Sequence, residues 1–261
     1  MEEAGAALAT GLARFIEMMI VLILFIREKR NQNLYLKPSV KFSRAFVKNV
    51  FSILLPILVG EFLWSLGENM YAVIYGHLGT EPCAAMTLMY PIQGIAIGAL
   101  CGISSAAGII TGNALGANDL EKAWKYGMNF VKLTVISGIA IGILVCLVSP
   151  FYVKLFNVDN ETRKVTVKIL IAFALVFTAK VFNMVVGGGV LQSGGQTKFM
   201  TAVNIIGTWG FGVPLGFLSA YLFHLPIWWV YFILSLEEYV RLGISLWLLF
   251  SRKWMKNLTK A

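Results

Sequence analysis

Apolar stretches long enough to cross a bilayer recur from one end of this chain to the other. A spanning helix needs about 20 mostly apolar residues. Seven stretches meet that length, at roughly 6–26, 50–75, 84–114, 123–149, 165–190, 199–222 and 226–250. Within lipid only helices and closed barrels satisfy every backbone polar group, and the ten-residue alternation of a barrel strand is missing. The connections are too short to hold a soluble domain. With 58% hydrophobic and 13% charged residues, the expected fold is all-α: a polytopic membrane protein of about seven transmembrane helices.

The basic residues orient those helices. Seven fall in the connection after the first span: Arg27, Lys29, Arg30, Lys37, Lys41, Arg44 and Lys48. Placing that connection in the cytoplasm also puts Lys122, Lys125, Lys198, Arg252, Lys253, Lys256 and Lys260 inside, against Lys154, Arg163 and Lys164 outside. By the positive-inside rule the N-terminus lies outside and the C-terminus in the cytoplasm. The net charge of +9 is then a topology signal, and no nucleic-acid partner is needed to explain it. "MEEAGAALATGL" begins acidic and lacks the basic start of a cleavable signal peptide. Cys83, Cys101 and Cys146 show no metal-ligand spacing. His77 and His224 have no companion ligands.

Residues 31–49, "NQNLYLKPSVKFSRAFVKN", are the one break in composition. Lys41, Arg44 and Lys48 fall on one helical side and Phe42, Phe46 and Val50 on another. That pattern suits a short helix lying on phospholipid, and equally a charge block that only enforces topology. The break divides the chain into a single helix (1–30), a basic cytoplasmic linker (31–49), a six-helix lobe (50–251) and a basic cytoplasmic tail (252–261). "ARFIEMMIVLILFIREKR" at 13–30 and "EEYVRLGISLWLLFSRKW" at 237–254 share a plan of charged start, apolar run and basic end. They read as equivalent helices of two repeats.

The second span carries two carboxylic acids. Glu61 and Glu68 are seven residues apart, so on a helix they differ by only about 20° in direction and rise about 10 Å. Trp64 and Tyr71 share that side. A charge at a helix centre costs on the order of 2.5–3.5 kcal/mol on insertion scales, so both acids are expected to face the bundle interior or water. Pro56, a turn earlier, removes one helix hydrogen bond and offers a bend. Lys180 is a second intramembrane charge, with Asn183 on its face, and is expected to approach Glu61 or Glu68. Gln93 follows Pro91, where a bend would expose it to a cavity. Arg14 with Glu17, and Glu238 with Arg241, read as local helix pairs.

Glycine marks close approach and weakness. Gly94, Gly98 and Gly102 repeat every four residues, as do Gly108, Gly112 and Gly116, a spacing that lets helix backbones touch. Gly187, Gly188 and Gly189 stand in a row, each costing roughly 1 kcal/mol of helix propensity relative to alanine. They predict an unwound or flexible point, a hinge.

Four stretches resemble the multidrug and toxic compound extrusion (MATE) family. "LPILVGEFLWSLGENMYAVIYGHLG" at 55–79 is similar to its seventh helix, and "GNALGAND" at 112–119 to the loop after its eighth. "GGGVLQSGGQTKF" at 188–199 is similar to its tenth-to-eleventh connection, and "VPLGFLSAYLFHLPIWWVYFIL" at 213–234 to its last two spans. The resemblance implies the family's sixth helix, linker and complete second lobe, without the first five helices. Where the family often has Leu-Arg-x-Gly-Gly-Asp-Thr, this chain has Leu191, Gln192, Ser193, Gly194, Gly195, Gln196 and Thr197, so that charge pair is absent. The family's ion-binding acid on its seventh helix falls in register with Trp64, so its sodium site does not carry over.

Such a resemblance implies the second lobe of a secondary exporter in a bacterial inner membrane, a transporter rather than an enzyme. Organic cations would leave in exchange for protons or sodium ions, with no cofactor. Glu61, Glu68 and Lys180 are the candidates for ion coupling. Trp64, Tyr71, Gln93 and Asn183 are the candidates for substrate contact, and Pro56, Pro91 and Gly187–Gly189 for hinges. Expected partners are membrane lipids, a small cationic substrate, and the missing N-terminal lobe or a second copy of the chain. A structural ion pair for the acids, and plain packing for Trp64 and Tyr71, stay open, as does flipping of lipid-linked substrates. A membrane-embedded lipid enzyme would need an acid–histidine or metal cluster that the sequence does not offer.

Overall fold

The structure, a computed structural model, describes residues 2–31 and 44–256. It is helical throughout, and no strand occurs among the described residues. The chain divides into two compact units, Met1–Val50 and Phe51–Ala261. The first contains α1 (Glu2–Asn31), whose apolar residues, Leu12, Phe15 and Leu24 among them, are exposed. Arg14 and Glu17 pair at 2.7 Å on its surface. Lys41 and Phe42 of the expected interfacial helix lie outside the described residues; Arg44 opens α2 (Arg44–His77).

The second unit is a bundle built around α5 (Asn160–Phe182). Two thirds of the apolar span that contains it are buried, against 22% for α3 (Thr80–Gly116) and for α4 (Leu120–Tyr152). Its core residues Ile169, Phe173, Phe177 and Val181 are 1% exposed or less. A centre surrounded by other helices can be apolar on all sides, whereas α3 and α4 keep an apolar outer face for lipid. Gly138 and Gly142 let α4 close on α5: a Cβ on Gly142 would stand 3.2 Å from the Ala174 carbonyl oxygen. Asp119 and Asp159 cap α4 and α5 by accepting from the backbone N–H of Lys122 and Thr162. Those bonds, with one from the Thr162 hydroxyl, hold the Asp159 carboxyl below the usual carboxylate range.

Five described helices are long and apolar enough to cross a membrane. The remaining two expected spans each carry two acids within the apolar run, Glu61 and Glu68 in one and Glu237 and Glu238 in the other. One is α2. The other is divided at Ser235 and Leu236 into α8 (Ile227–Leu234) and α9 (Glu237–Phe250). The span before it begins as α6 (Thr197–Ile205), widens to a π-helix over Ile206–Gly212, returns to α7 (Val213–Phe217) and widens again over Leu218–Leu222.

The glycine triplet does not unwind. After α5 the chain continues as a π-helix over Asn183–Leu191, the kind of widened turn that recurs at functional sites. Gly189 is there for contact: a Cβ would lie 2.7 Å from the Ser104 carbonyl oxygen on α3 and 3.1 Å from Ala107 Cβ. Gly188 faces open space, with nothing nearer than Ser104 Oγ at 3.9 Å. Gly189→Ala is therefore expected to cost about 1–3 kcal/mol through backbone displacement. Gly188→Ala is expected to be neutral or to stabilise by up to roughly 1 kcal/mol. Thermal unfolding of the two variants in detergent separates close packing from a need for flexibility. Of the two glycine rows, Gly108 and Gly112 meet the 189–193 segment, whereas Gly94, Gly98 and Gly102 face open space. Helix α3 passes through Pro91, and α2 through Pro56, without ending.

Candidate functional site

Two glycines set the position of α2. A Cβ on Gly60 would press on the Thr201 methyl at 2.6 Å, and one on Gly67 would collide with the Thr208 methyl. The Trp209 indole N–H donates to the Leu63 carbonyl at 3.1 Å between them. With that side of α2 seated, the next residues in register, Glu61 and Glu68, line a cavity of about 610 Å³. That volume lies within the ~300–1,000 Å³ of small-molecule sites.

The cavity brings most of the expected residues together. Glu61, Trp64 and Glu68 come from α2, Gln93 and Ser104 from α3, and Lys180, Asn183 and Gly188 from α5 and its π-helical extension. Trp64 is half exposed between the two acids. Ser104 donates to the Met184 carbonyl at 2.7 Å, tying α3 to the widened turn. Neither Glu61 nor Glu68 makes an ion pair or side-chain hydrogen bond among the described residues.

Three placements differ from expectation. The Lys180 ammonium lies 3.9 Å from Glu238, and no ion pair joins it to Glu61 or Glu68 among the described residues. The Asn183 amide donates to the Glu238 carbonyl at 2.8 Å and to its carboxylate at 2.9 Å, so it holds Glu238 in place. Tyr71 is buried and lines a second, smaller pocket of about 30 Å³ together with Glu68. Its hydroxyl lies against Gly212, and the ring is not part of the larger cavity's lining. Of the expected hinge residues, Gly187 and Gly188 line the cavity; the Pro56 side chain lies outside the described residues.

The wall opposite α2 is a buried charge cluster at the start of α9. Arg241 reaches Glu237 at 3.1 Å and Glu238 at 3.8 Å, and donates to the Thr208 hydroxyl at 2.6 Å. All three charged residues are at most 6% exposed. The two carboxylates stand in the first turn of α9, at the end of the helix whose dipole favours negative charge. Gly207 leaves room for the Arg241 stem, and Gly212 for Glu237 and the Tyr71 hydroxyl. From sequence Glu238 and Arg241 read as a local pair and Glu237 only as part of the charged start of 237–254. The signal is "SLEEYVR": two acids and an arginine one turn on, inside an otherwise mostly apolar run with no other charge to pair them. Each wall thus has its own electrostatic state, neutralised on the α9 side and unpaired on the α2 side.

The MatE family profile matches residues 56–218, more than half of the chain. The chain belongs to the MatE family. MatE proteins are membrane transporters rather than enzymes, and this one is a multi-pass membrane protein. It is 23% identical over 215 residues to the human "Multidrug and toxin extrusion protein 1", covering 81% of this chain and 37% of that protein. It is 25% identical to the "Probable multidrug resistance protein NorM" of Thermotoga maritima, covering 97% and 54%. The "Uncharacterized transporter YisQ" of Bacillus subtilis is 24% identical, covering 98% and 54%. A crystal structure of MATE in the bent conformation superposes with a TM-score of 0.76 at 18% identity over 93% of this chain and 55% of that one. An outward-facing MATE transporter superposes at 0.70 with 20% identity, over 80% and 46%. The chain spans about half the length, or less, of the relatives it matches.

Proposed function

We propose that the chain supplies the cation-recognition chamber of a multidrug efflux antiporter, exporting organic cations in exchange for protons or sodium ions. The observation that carries this reading is the unpaired state of Glu61 and Glu68 in a cavity that also presents Trp64. A carboxylate without a partner can hold either a coupling ion or a cationic substrate, so that the two compete. Trp64 adds a cation–π surface worth about 0.5–2 kcal/mol. Relatives named for multidrug extrusion support the same reading.

The bias of basic residues supports a cytoplasmic C-terminus and an N-terminus outside, and the resemblance to bacterial relatives supports a bacterial inner membrane. Export by rocking requires a counterpart to move against. That counterpart is a further N-terminal lobe or a second copy of this chain. Lipid surrounds both, and no cofactor takes part.

The test is cation efflux from vesicles that contain the chain with its counterpart. Glu61→Gln and Glu68→Gln are each expected to lower the rate at least tenfold and to flatten its pH or sodium dependence, while Lys180→Gln weakens it less. Wild-type efflux from both glutamine variants across pH sinks the proposal. Movement of lipid headgroups with no cation movement replaces it with flipping.

A further inference from the structure

We propose that the chamber selects compounds bearing two cationic centres joined by an apolar spacer, with nitrogens about 10 Å apart, over compounds bearing one. This rests on the cation reading above and narrows it.

The first reason is charge balance. Four carboxylates, Glu61, Glu68, Glu237 and Glu238, line the cavity and the small pocket beside it, against two cations, Lys180 and Arg241. Arg241 is committed to Glu237 and Glu238, and Lys180 to Glu238. Glu61 and Glu68 are therefore the carboxylates that no cation of the chain accompanies among the described residues. A monocation leaves one of them without a counter-charge, whereas a dication neutralises both.

The second reason is spacing. Glu61 and Glu68 face the same cavity from one helix, two turns apart, so their backbone positions rise about 10 Å along its axis. Trp64 stands between them on the same side of α2, and Ile97, Val181, Met184 and Met200 are the apolar members of a lining that also carries polar side chains. An apolar or aromatic spacer fits that stretch, and a cationic head fits each end.

The third reason lies in the small pocket. Glu68 also lines the small pocket, beside Glu237 and the Tyr71 hydroxyl, which meet at Gly212. Both residues are at most 6% exposed. A cationic head seated at Glu68 brings positive charge toward the Glu237 carboxylate.

A series of polymethylene bis(trimethylammonium) salts, from short to long spacers, is titrated calorimetrically into the purified chain in lipid nanodiscs. Alkyltrimethylammonium salts of matched carbon number serve as controls. The expected result is an affinity maximum where the nitrogens stand about 10 Å apart, at least tenfold tighter than the matched monocation. Glu61→Gln and Glu68→Gln each remove the maximum and leave affinity close to that of the monocation. Both side chains face the cavity, so their loss leaves the core intact, and the length series on the unmodified chain stands without them. Equal affinity for the two classes, or affinity that climbs with chain length without a maximum, overturns the selectivity while leaving cation binding in place. Absence of binding by every salt overturns the cation reading itself.

Discussion

Replacing Arg241 with alanine is expected to destabilise the bundle by about 3–5 kcal/mol, the largest effect of any single charge removal in this chain. The guanidinium is buried against Glu237 at 3.1 Å and Glu238 at 3.8 Å, and it satisfies the Thr208 hydroxyl. Without it two carboxylates remain in the interior with only Lys180 near Glu238. Desolvation of those charges is no longer offset. Arg241→Met keeps most of the volume and is expected to cost nearly as much, because charge rather than packing dominates. Adding Glu237→Gln and Glu238→Gln to Arg241→Met is expected to recover most of the loss, since a neutral cluster has no ion to desolvate. Thermal unfolding in detergent checks the series. Equal destabilisation by the single and triple variants would show that shape, not charge, holds α9.

Trp254→Ala is the second large effect, also expected at about 3–5 kcal/mol. The indole is fully buried beyond the end of α9, with its N–H donating to the Leu249 carbonyl at 3.0 Å. Its ring fills the space left by Gly127 on α4, where a Cβ would stand 3.6 Å from the ring edge. Its carbonyl oxygen lies so close to Gly194 that Gly194→Ala forces the two backbones apart. The Gln196 amide donates to the Lys253 carbonyl at 3.3 Å, so this segment pins the connection after the π-helix. Gly194→Ala is expected to lower stability as much as Trp254→Ala. Arg252→Ala removes only a cation–π contact over Trp124 at 4.5 Å, worth about 0.5–1 kcal/mol at an exposed site. Protease cleavage after Lys253 should accelerate in the first two variants and stay slow in the third. A Trp254→Ala chain that melts like the unmodified one removes the idea of an anchoring role.

From sequence, residues 252–261 read only as a basic tail. Trp254 is one apolar residue among Arg252, Lys253 and Lys256, and no periodicity marks it because it does not belong to a helix. Its burial depends on two glycines, at 127 and 194, that are far from it in the chain. The α8–α9 division escaped for a related reason. "YFILSLEEYV" has no proline or glycine to announce a break, so tertiary packing around Glu237 and Glu238 decides it. The glycine triplet was legible as a special place, but its type was not: low helix propensity predicts loosening, whereas contact with α3 keeps the turn wound.

The apolar runs and the bias of basic residues determined that this chain is a multi-pass helical membrane protein, because lipid admits almost no other backbone and polar charge has so few places to go. Helical geometry determined that Glu61 and Glu68 share a side, since seven residues nearly complete two turns. Which cation meets which acid was left to the tertiary structure. Lys180 lies as near in sequence logic to α2 as to α9, and only the packing of α5 against α9 carries it to Glu238 while α2 keeps its carboxylates free. Ion pairing is a matter of a few ångströms between separate helices, and no local pattern encodes that distance.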